Sequence, residues 1–285
     1  MKVAVFGLGI IGEIWARNLC ADGDEVRGWN RTPKPSLPFY TGDARAAATG
    51  SELIIIVVAD PPAVQAVLDL IFPVLHAGQV VVQSSTVSPE ASRRFEAQVN
   101  GTGAVFLEAP FTGSKPAAEQ RKTVYYIGGE PAVLERARPL LGRLSSTIFH
   151  IGPVGSASAL KLAMNVNIAL VGQALCESLT LARAAGISDE TYFAALKLNA
   201  SNSGVAALKE PKLRAEDFAP QFSLKHMAKD LRLALEMAEG MSVPETRRVM
   251  KIYEEGMARG WGEDDFMCLM RLLPAAESRG VAGEV

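Results

Sequence analysis

The chain opens with a repeating alternation. Short apolar, β-branched runs stand at KVAVF (2–6), EVRGW (25–29), LIIIVV (53–58), QVVVQS (79–84), AVFLEA (104–109), TVYYIG (123–128) and TIFHIG (147–152). Between several of them, residues 10–22, 61–76, 88–99 and 130–144 place apolar side chains at helical spacing. Strands separated by helices of this length predict a parallel sheet with right-handed crossovers, the doubly wound α/β class. LIIIVV is apolar throughout, as a strand covered on both faces must be. RTPKPSLPFYTG (31–42) breaks the pattern with three prolines and is the nearest thing to a linker.

After Gly152 the strand signal stops. Residues 155 to about 185 follow a helical pattern without a proline, and Gly186 stands where a helix C-cap is expected. Further helical segments are predicted near 189–198, 223–239, 243–259 and 264–272. The pattern therefore predicts a nucleotide-type α/β domain over 1–152 and an all-helical domain over 153–285 that begins with a long helix. That helix, GSASALKLAMNVNIALVG and onward, is apolar over much of its circumference and needs cover from its own domain, a second subunit, or both. A homodimer or homotetramer is expected on that ground. Yet the helix carries Lys161, Asn165 and Asn167, and an ammonium in apolar surroundings costs several kcal/mol unless it is paired.

Charge and composition narrow the classes. The 285 residues carry 29 basic and 31 acidic side chains, a net charge of −2, with no basic run, which argues against nucleic-acid and membrane-surface partners. Lys2 and the apolar run after it lack a small-residue cleavage site and read as a strand and turn rather than an export signal. No uninterrupted apolar stretch reaches the roughly 18 residues of a membrane helix. The three cysteines, Cys20, Cys176 and Cys268, are not spaced as metal ligands and read as reduced, mostly buried thiols of a cytoplasmic protein. His76, His150 and His226 are scattered, and no metal site is predicted.

Candidate chemistry begins at GLGIIG, the residues Gly7, Leu8, Gly9, Ile10, Ile11 and Gly12. A lone GxGxxG is weak, but this one follows a strand and opens a helix, the context a dinucleotide site requires. Its glycines allow the tight turn, the approach of the pyrophosphate, and close helix-on-strand packing. An NAD site then places an acid at the end of the second strand to accept from the ribose 2′-hydroxyl. This chain has Asn30, Arg31 and Thr32 there, with Lys34 nearby. A guanidinium pairs with a 2′-phosphate, so NADPH/NADP+ is expected in preference to NADH.

Three more segments join the glycine loop: STVSPE (85–90), EAPFTGSKPAAE (108–119) and GPVGSASALKLAMNVN (152–167). With WNRT and FSLKHMAKDLRLALEMA (222–238) they resemble the β-hydroxyacid dehydrogenase family, whose members include 3-hydroxyisobutyrate and 6-phosphogluconate dehydrogenases. The likeness covers nearly the whole chain and is nearest to the glyoxylate/succinic semialdehyde reductase branch. It implies that Val58, Ala59, Asp60 and Thr86 line the cofactor site, and that Lys229 reaches the cofactor from the helical domain. Thr112, Gly113 and Ser114 would hold the substrate carboxylate, with Asn165, Phe222 and Asp230 completing the substrate pocket. Lys161 matches the family's catalytic lysine. The branch usually has Ser where this chain has Thr112, and Gln120-Arg121 replaces a typical Asp-Gly turn. The proline-rich 31–42 segment stands where a helix is normally found.

Chemistry leads to the same lysine. Lys161 and Asn165 are four apart, on one helix face, and Ser158 extends that stripe. Hydride transfer to an aldehyde or ketone leaves negative charge on oxygen, and a positioned acid must answer it. The competing reading of Lys161, a lysine snorkelling from a half-buried helix, loses ground beside a dinucleotide motif. The expected function is NADPH-dependent reduction of small carboxylate-bearing carbonyl compounds, such as glyoxylate or succinic semialdehyde, to hydroxyacids. The alternatives are a 3-hydroxyisobutyrate-type dehydrogenase in the oxidative direction, an imine reductase, or a non-catalytic NADP-sensing module.

Overall fold

A computed structural model describes residues 1–273. Its eight strands form one sheet: β1 (Lys2–Phe6), β2 (Glu25–Trp29), β3 (Leu53–Ile56), β4 (Val80–Gln83), β5 (Val105–Glu108), β6 (Phe111–Thr112), β7 (Thr123–Gly128) and β8 (Ser145–Gly152). Six helices accompany them: α1 (Ile10–Ala21), α2 (Ala44–Ala48), α3 (Pro61–Ile71), α4 (Pro89–Asn100), α5 (Lys115–Glu119) and α6 (Pro131–Leu144). The order is β2-β1-β3-β4-β5-β7-β6, with β8 beside β7. β1 to β5 are parallel, as expected of strands joined through helices.

The parallel expectation fails at one edge. β7 runs antiparallel to β5 and to the two-residue β6, which the pattern did not predict. The connection from Thr112 to Thr123 holds only the short α5, less than the dozen or more residues of a parallel crossover, so the chain doubles back. α6 then restores parallel pairing between β7 and β8.

Alternation along the strands feeds two cores. Val3, Val5, Leu53, Ile55, Val80, Val82 and Leu107 share one with Trp15 and Tyr125. Ala4, Phe6, Ile54, Ile56, Val81 and Phe106 share the other with residues of α3 and α4. The proline-rich segment is no linker. Its Leu37 and Phe39 are buried, and it is tied to Gly28, whose N–H donates to the Phe39 carbonyl at 2.7 Å. Arg121, in the Gln-Arg turn, takes a positive φ of 59° and clasps Asp22 at 2.7 and 2.9 Å.

The chain divides into two compact units, Met1–Ala163 and a second from Met164 onward. The division falls within the long helix α7 (Ser156–Ala184), which ends before Gly186 at φ +75° as the sequence suggests. The second unit adds α8 (Asp189–Leu198), α9 (Gly204–Ala215), α10 (Leu224–Met237) and α11 (Pro244–Ala258). The stretch expected to be helical over 264–272 is a 3₁₀ helix, Phe266–Leu272, and α9 was not expected at all. Leu175, Cys176 and Leu179 of α7 pack with Phe193, Leu213, Leu231, Tyr253 and Cys268 in this unit's own core. By length and composition α7 is apolar enough to cross a bilayer, despite the polar residues that were expected to disqualify it; Ala169, Leu175, Cys176 and Leu179 lie in that core, while Met164 and Leu181 are exposed. Cys176 and Cys268 are buried and Cys20 is exposed, so burial holds for two of the three free thiols.

Candidate functional site

The glycine loop sits where β1 gives way to α1. Gly7 donates its N–H to the Trp29 carbonyl at 2.9 Å, joining the loop to the end of β2. Gly12 packs against that loop so closely that a Cβ on it would lie 1.9 Å from the Gly7 carbonyl oxygen. Around Gly9, by contrast, a Cβ would meet nothing within 4 Å. No side chain caps α1, so its first-turn N–H groups and the positive end of its dipole are left for an anion. Open space at the second glycine and an uncapped helix start fit a dinucleotide pyrophosphate. Ile10 is 55% exposed on the first turn and Ile11 is half-buried, while Leu8 is buried beneath the loop.

Asn30 braces this loop. Its Oδ1 accepts from the Leu8 N–H at 3.0 Å, and its Nδ2 donates to the Thr32 carbonyl at 2.8 Å. Arg31 and Thr32 follow, exposed. Lys34 does not join them: its ammonium pairs with Glu13 at 3.0 Å, in a cluster with Arg17 that lowers the Glu13 carboxyl below its ordinary range. The hydrogen bonds from Lys34 and Arg17 are the main cause.

Further along the same sheet edge, the Val58 N–H donates to Ser85 Oγ at 2.8 Å, tying the ends of β3 and β4 together. Ala59 is exposed, and Asp60 caps α3 by accepting from the Ala63 N–H at 2.9 Å. That structural duty was not anticipated for Asp60. Thr86 lies half-buried just past β4. Thr112 pairs with Val124 across β6 and β7, Gly113 turns the chain, and Ser114 stands at the N-cap of α5.

Lys161 is 9% exposed, two turns into α7 and within the sheet unit. A buried carboxylate that was not singled out from the sequence holds the start of this helix. Glu108, at the end of β5, accepts from the backbone N–H groups of Gly155 (2.8 Å), Ala157 (3.1 Å) and Ser158 (3.2 Å), and from Ser158 Oγ. The bonding partners lie 47 to 50 residues away in sequence, so no local signal marks them.

The helical unit has a polar group of its own. Asn165 is buried, and its Nδ2 donates to Asp230 Oδ2 at 2.5 Å. Lys229 pairs with Asp230 Oδ1 at 2.8 Å. Asp230 thus serves its neighbours directly, while Asn165 Oδ1 is buried without a hydrogen bond from any described residue. His226 stacks on Phe222, centroids 6.5 Å apart, and bonds Ser223 Oγ through Nδ1 at 2.6 Å. Burial, then the charges of Lys229 and Lys225, lower its pKa. Asn167 is exposed, and His150 meets the Gly129 carbonyl at 2.8 Å within the sheet unit, a structural contact as expected. Among the described residues no cluster of His, Cys, Asp or Glu is arranged to hold a metal ion.

Residues 2–152 match the family model for the NAD binding domain of 6-phosphogluconate dehydrogenase. Residues 155–273 match the model for the NAD-binding domain of NADP-dependent 3-hydroxyisobutyrate dehydrogenase. The chain is 30% identical to the chloroplastic glyoxylate/succinic semialdehyde reductase 2 of Arabidopsis thaliana, over 98% of this chain and 81% of that one. It is 29% identical to glyoxylate/succinic semialdehyde reductase 1 of the same plant, over 95% and 97% of the two chains. Among solved structures, 3-hydroxyisobutyrate dehydrogenase of Mycobacterium tuberculosis with L-serine superposes with a TM-score of 0.87 at 26% identity, covering 96% of this chain and 99% of that one.

Proposed function

Because the chain belongs to the β-hydroxyacid dehydrogenase family, NAD(P)-dependent oxidoreductases acting on CH–OH groups, we propose that it reduces small carboxylate-bearing carbonyl compounds of the glyoxylate or succinic semialdehyde kind. NADPH is the preferred cofactor, and the product is the hydroxyacid. The observation that carries this reading is a buried lysine, Lys161, on a helix fixed from below by Glu108, with Asn165 one turn further on.

When bound, the nicotinamide supplies the hydride. The chain supplies orientation and a proton. Thr112 Oγ1 and the Gly113 N–H bind the substrate carboxylate, with Ser114 beside them. The Lys161 ammonium holds the proton that passes to the carbonyl oxygen as charge develops there. Asn165, whose amide donates to Asp230, is assigned to the substrate by the family resemblance. The assignments of Phe222 to substrate and Lys229 to cofactor rest on the family resemblance alone.

Arg31 supports NADPH over NADH. The turn after β2 holds no acid to accept from a ribose hydroxyl, and Arg31 is exposed with no ion-pair partner among the described residues. The switch Arg31→Glu is expected to lower the NADPH/NADH ratio of kcat/KM by about tenfold or more, the scale of a lost charge-assisted pair. An unchanged ratio overturns the assignment.

The activity itself is tested by following NADPH consumption with a panel of short aldehyde and keto acids. Lys161→Ala is expected to lower kcat roughly 10²- to 10⁴-fold, the range of a lost general acid, with NADPH affinity retained. Tight NADPH binding without turnover of any carbonyl compound would favour a sensing role, and full kcat in Lys161→Ala would remove the lysine from the mechanism.

A further inference from the structure

Glu108 is fully buried at the end of β5. A carboxylate so placed costs several kcal/mol in desolvation unless charge-assisted bonds compensate it. Here four donors do so, from Gly155 and the first turn of α7 that follows it, and the carboxylate also faces the positive end of that helix. The opposing strand makes room for it. Gly128 pairs with Glu108 across β5 and β7, and a Cβ at Gly128 would lie 2.2 Å from Glu108 Oε2. Ser158, which gives Glu108 both its N–H and its hydroxyl, stands three residues before Lys161 and on the same helix face.

We propose that Glu108 is a positioning residue for the reduction: its carboxylate fixes the first turn of α7 and thereby the place of the Lys161 ammonium. This rests on Lys161 being the acid. Glutamine cannot replace the carboxylate, because its amide nitrogen would point N–H groups at the N–H donors of Gly155 and Ala157 or of Ser158. The helix start then loses its anchor on one side. Displacing a reacting group by an ångström costs on the order of 10²-fold in rate.

The experiment is a double-mutant cycle in the full-length chain with Glu108→Gln and Lys161→Met, reading kcat, KM, NADPH affinity by fluorescence titration, and Tm. Glu108→Gln is expected to lower kcat about 10- to 100-fold with NADPH affinity nearly unchanged. Added to Lys161→Met, it is expected to lower the residual rate no further, because it acts through the lysine. A purely structural residue would leave kcat per folded molecule intact whatever its Tm, or multiply with Lys161→Met; either result overturns the proposal. If Glu108→Gln does not fold, Gly128→Ala, which pushes on the carboxylate without removing its charge, is carried through the same cycle with the same expected outcome. Full kcat in Lys161→Met removes the lysine reading and this proposal together. Loss in Lys161→Met beside unchanged kcat in Glu108→Gln removes this proposal alone.

Discussion

Gly9 and Gly12 stand in one loop and do different things, and the difference is measurable. Gly12 has backbone against it on the side where a methyl would go, 1.9 Å from the Gly7 carbonyl oxygen. Gly9 has open space and an ordinary φ of −73°, so alanine there strains nothing in the protein. Gly12→Ala is therefore expected to destabilise the fold, by roughly 1–3 kcal/mol as overpacking does. Gly9→Ala should keep Tm within about 2 °C and weaken NADPH binding about tenfold or more, because its methyl occupies the approach of the pyrophosphate. Thermal unfolding and fluorescence titration separate the two. Equal NADPH affinity in wild type and Gly9→Ala would place the pyrophosphate elsewhere. The glycine loop was legible because its chemistry is local: strand, turn and helix are contiguous. Glu108 was not, because its meaning lies in donors 47 residues and more away. The pairing of Asn165 with Asp230 escaped for the same reason, although both residues were picked out by likeness.

Elements were read well where their apolar pattern was long or uninterrupted. β1, β2 and β7 fall on the expected residues, and α7 and α8 nearly so, because burial of a continuous face leaves a periodic trace. β6, at two residues, is too short to have a period. α9 was missed because Pro211 interrupts it and its inward side includes a lysine where an apolar residue is expected. That lysine explains the helix. Lys209, 2% exposed, bonds both oxygens of the buried Asp265 at 2.8 and 2.7 Å and lies over the Phe266 ring. Asp265 in turn accepts from the N–H groups of Gln221, Phe222 and Met267. Burial lowers the Lys209 pKa, and the Asp265 charge opposes that fall. Lys209→Met leaves a buried carboxylate without its cation, a loss of about 3–5 kcal/mol. Urea unfolding followed by helical circular dichroism is expected to show it as a lower midpoint. An unchanged midpoint would mean that the backbone donors alone sustain Asp265.

At the scale of the molecule, the sheet unit and the helical unit each have cores of their own, and the thiols sample them unequally. Cys20 lies exposed on α1, while Cys176 and Cys268 sit inside the helical core beside Tyr253. Burial pushes the Cys176 and Cys268 thiols up to about 12, and raises Cys20 as well. Only thiolate reacts, so near pH 8 the two buried groups are kept protonated as well as shielded. Labelling with an aromatic disulfide is expected to modify one thiol per chain under native conditions. The other two should follow only as the helical core opens, with the denaturant dependence of its unfolding. The same shifts carry a pH consequence. Between about pH 9 and 12 the unfolded chain gives up thiol protons that the folded chain retains, so the native state holds more protons and loses stability as pH rises through that window. Replacing Cys176 and Cys268 by alanine should flatten the alkaline limb, leaving the parts due to Tyr253 and Tyr125, whose hydroxyls burial also raises, and to Cys20. Prompt native-state labelling of all three thiols would show that the helical core admits reagent without unfolding.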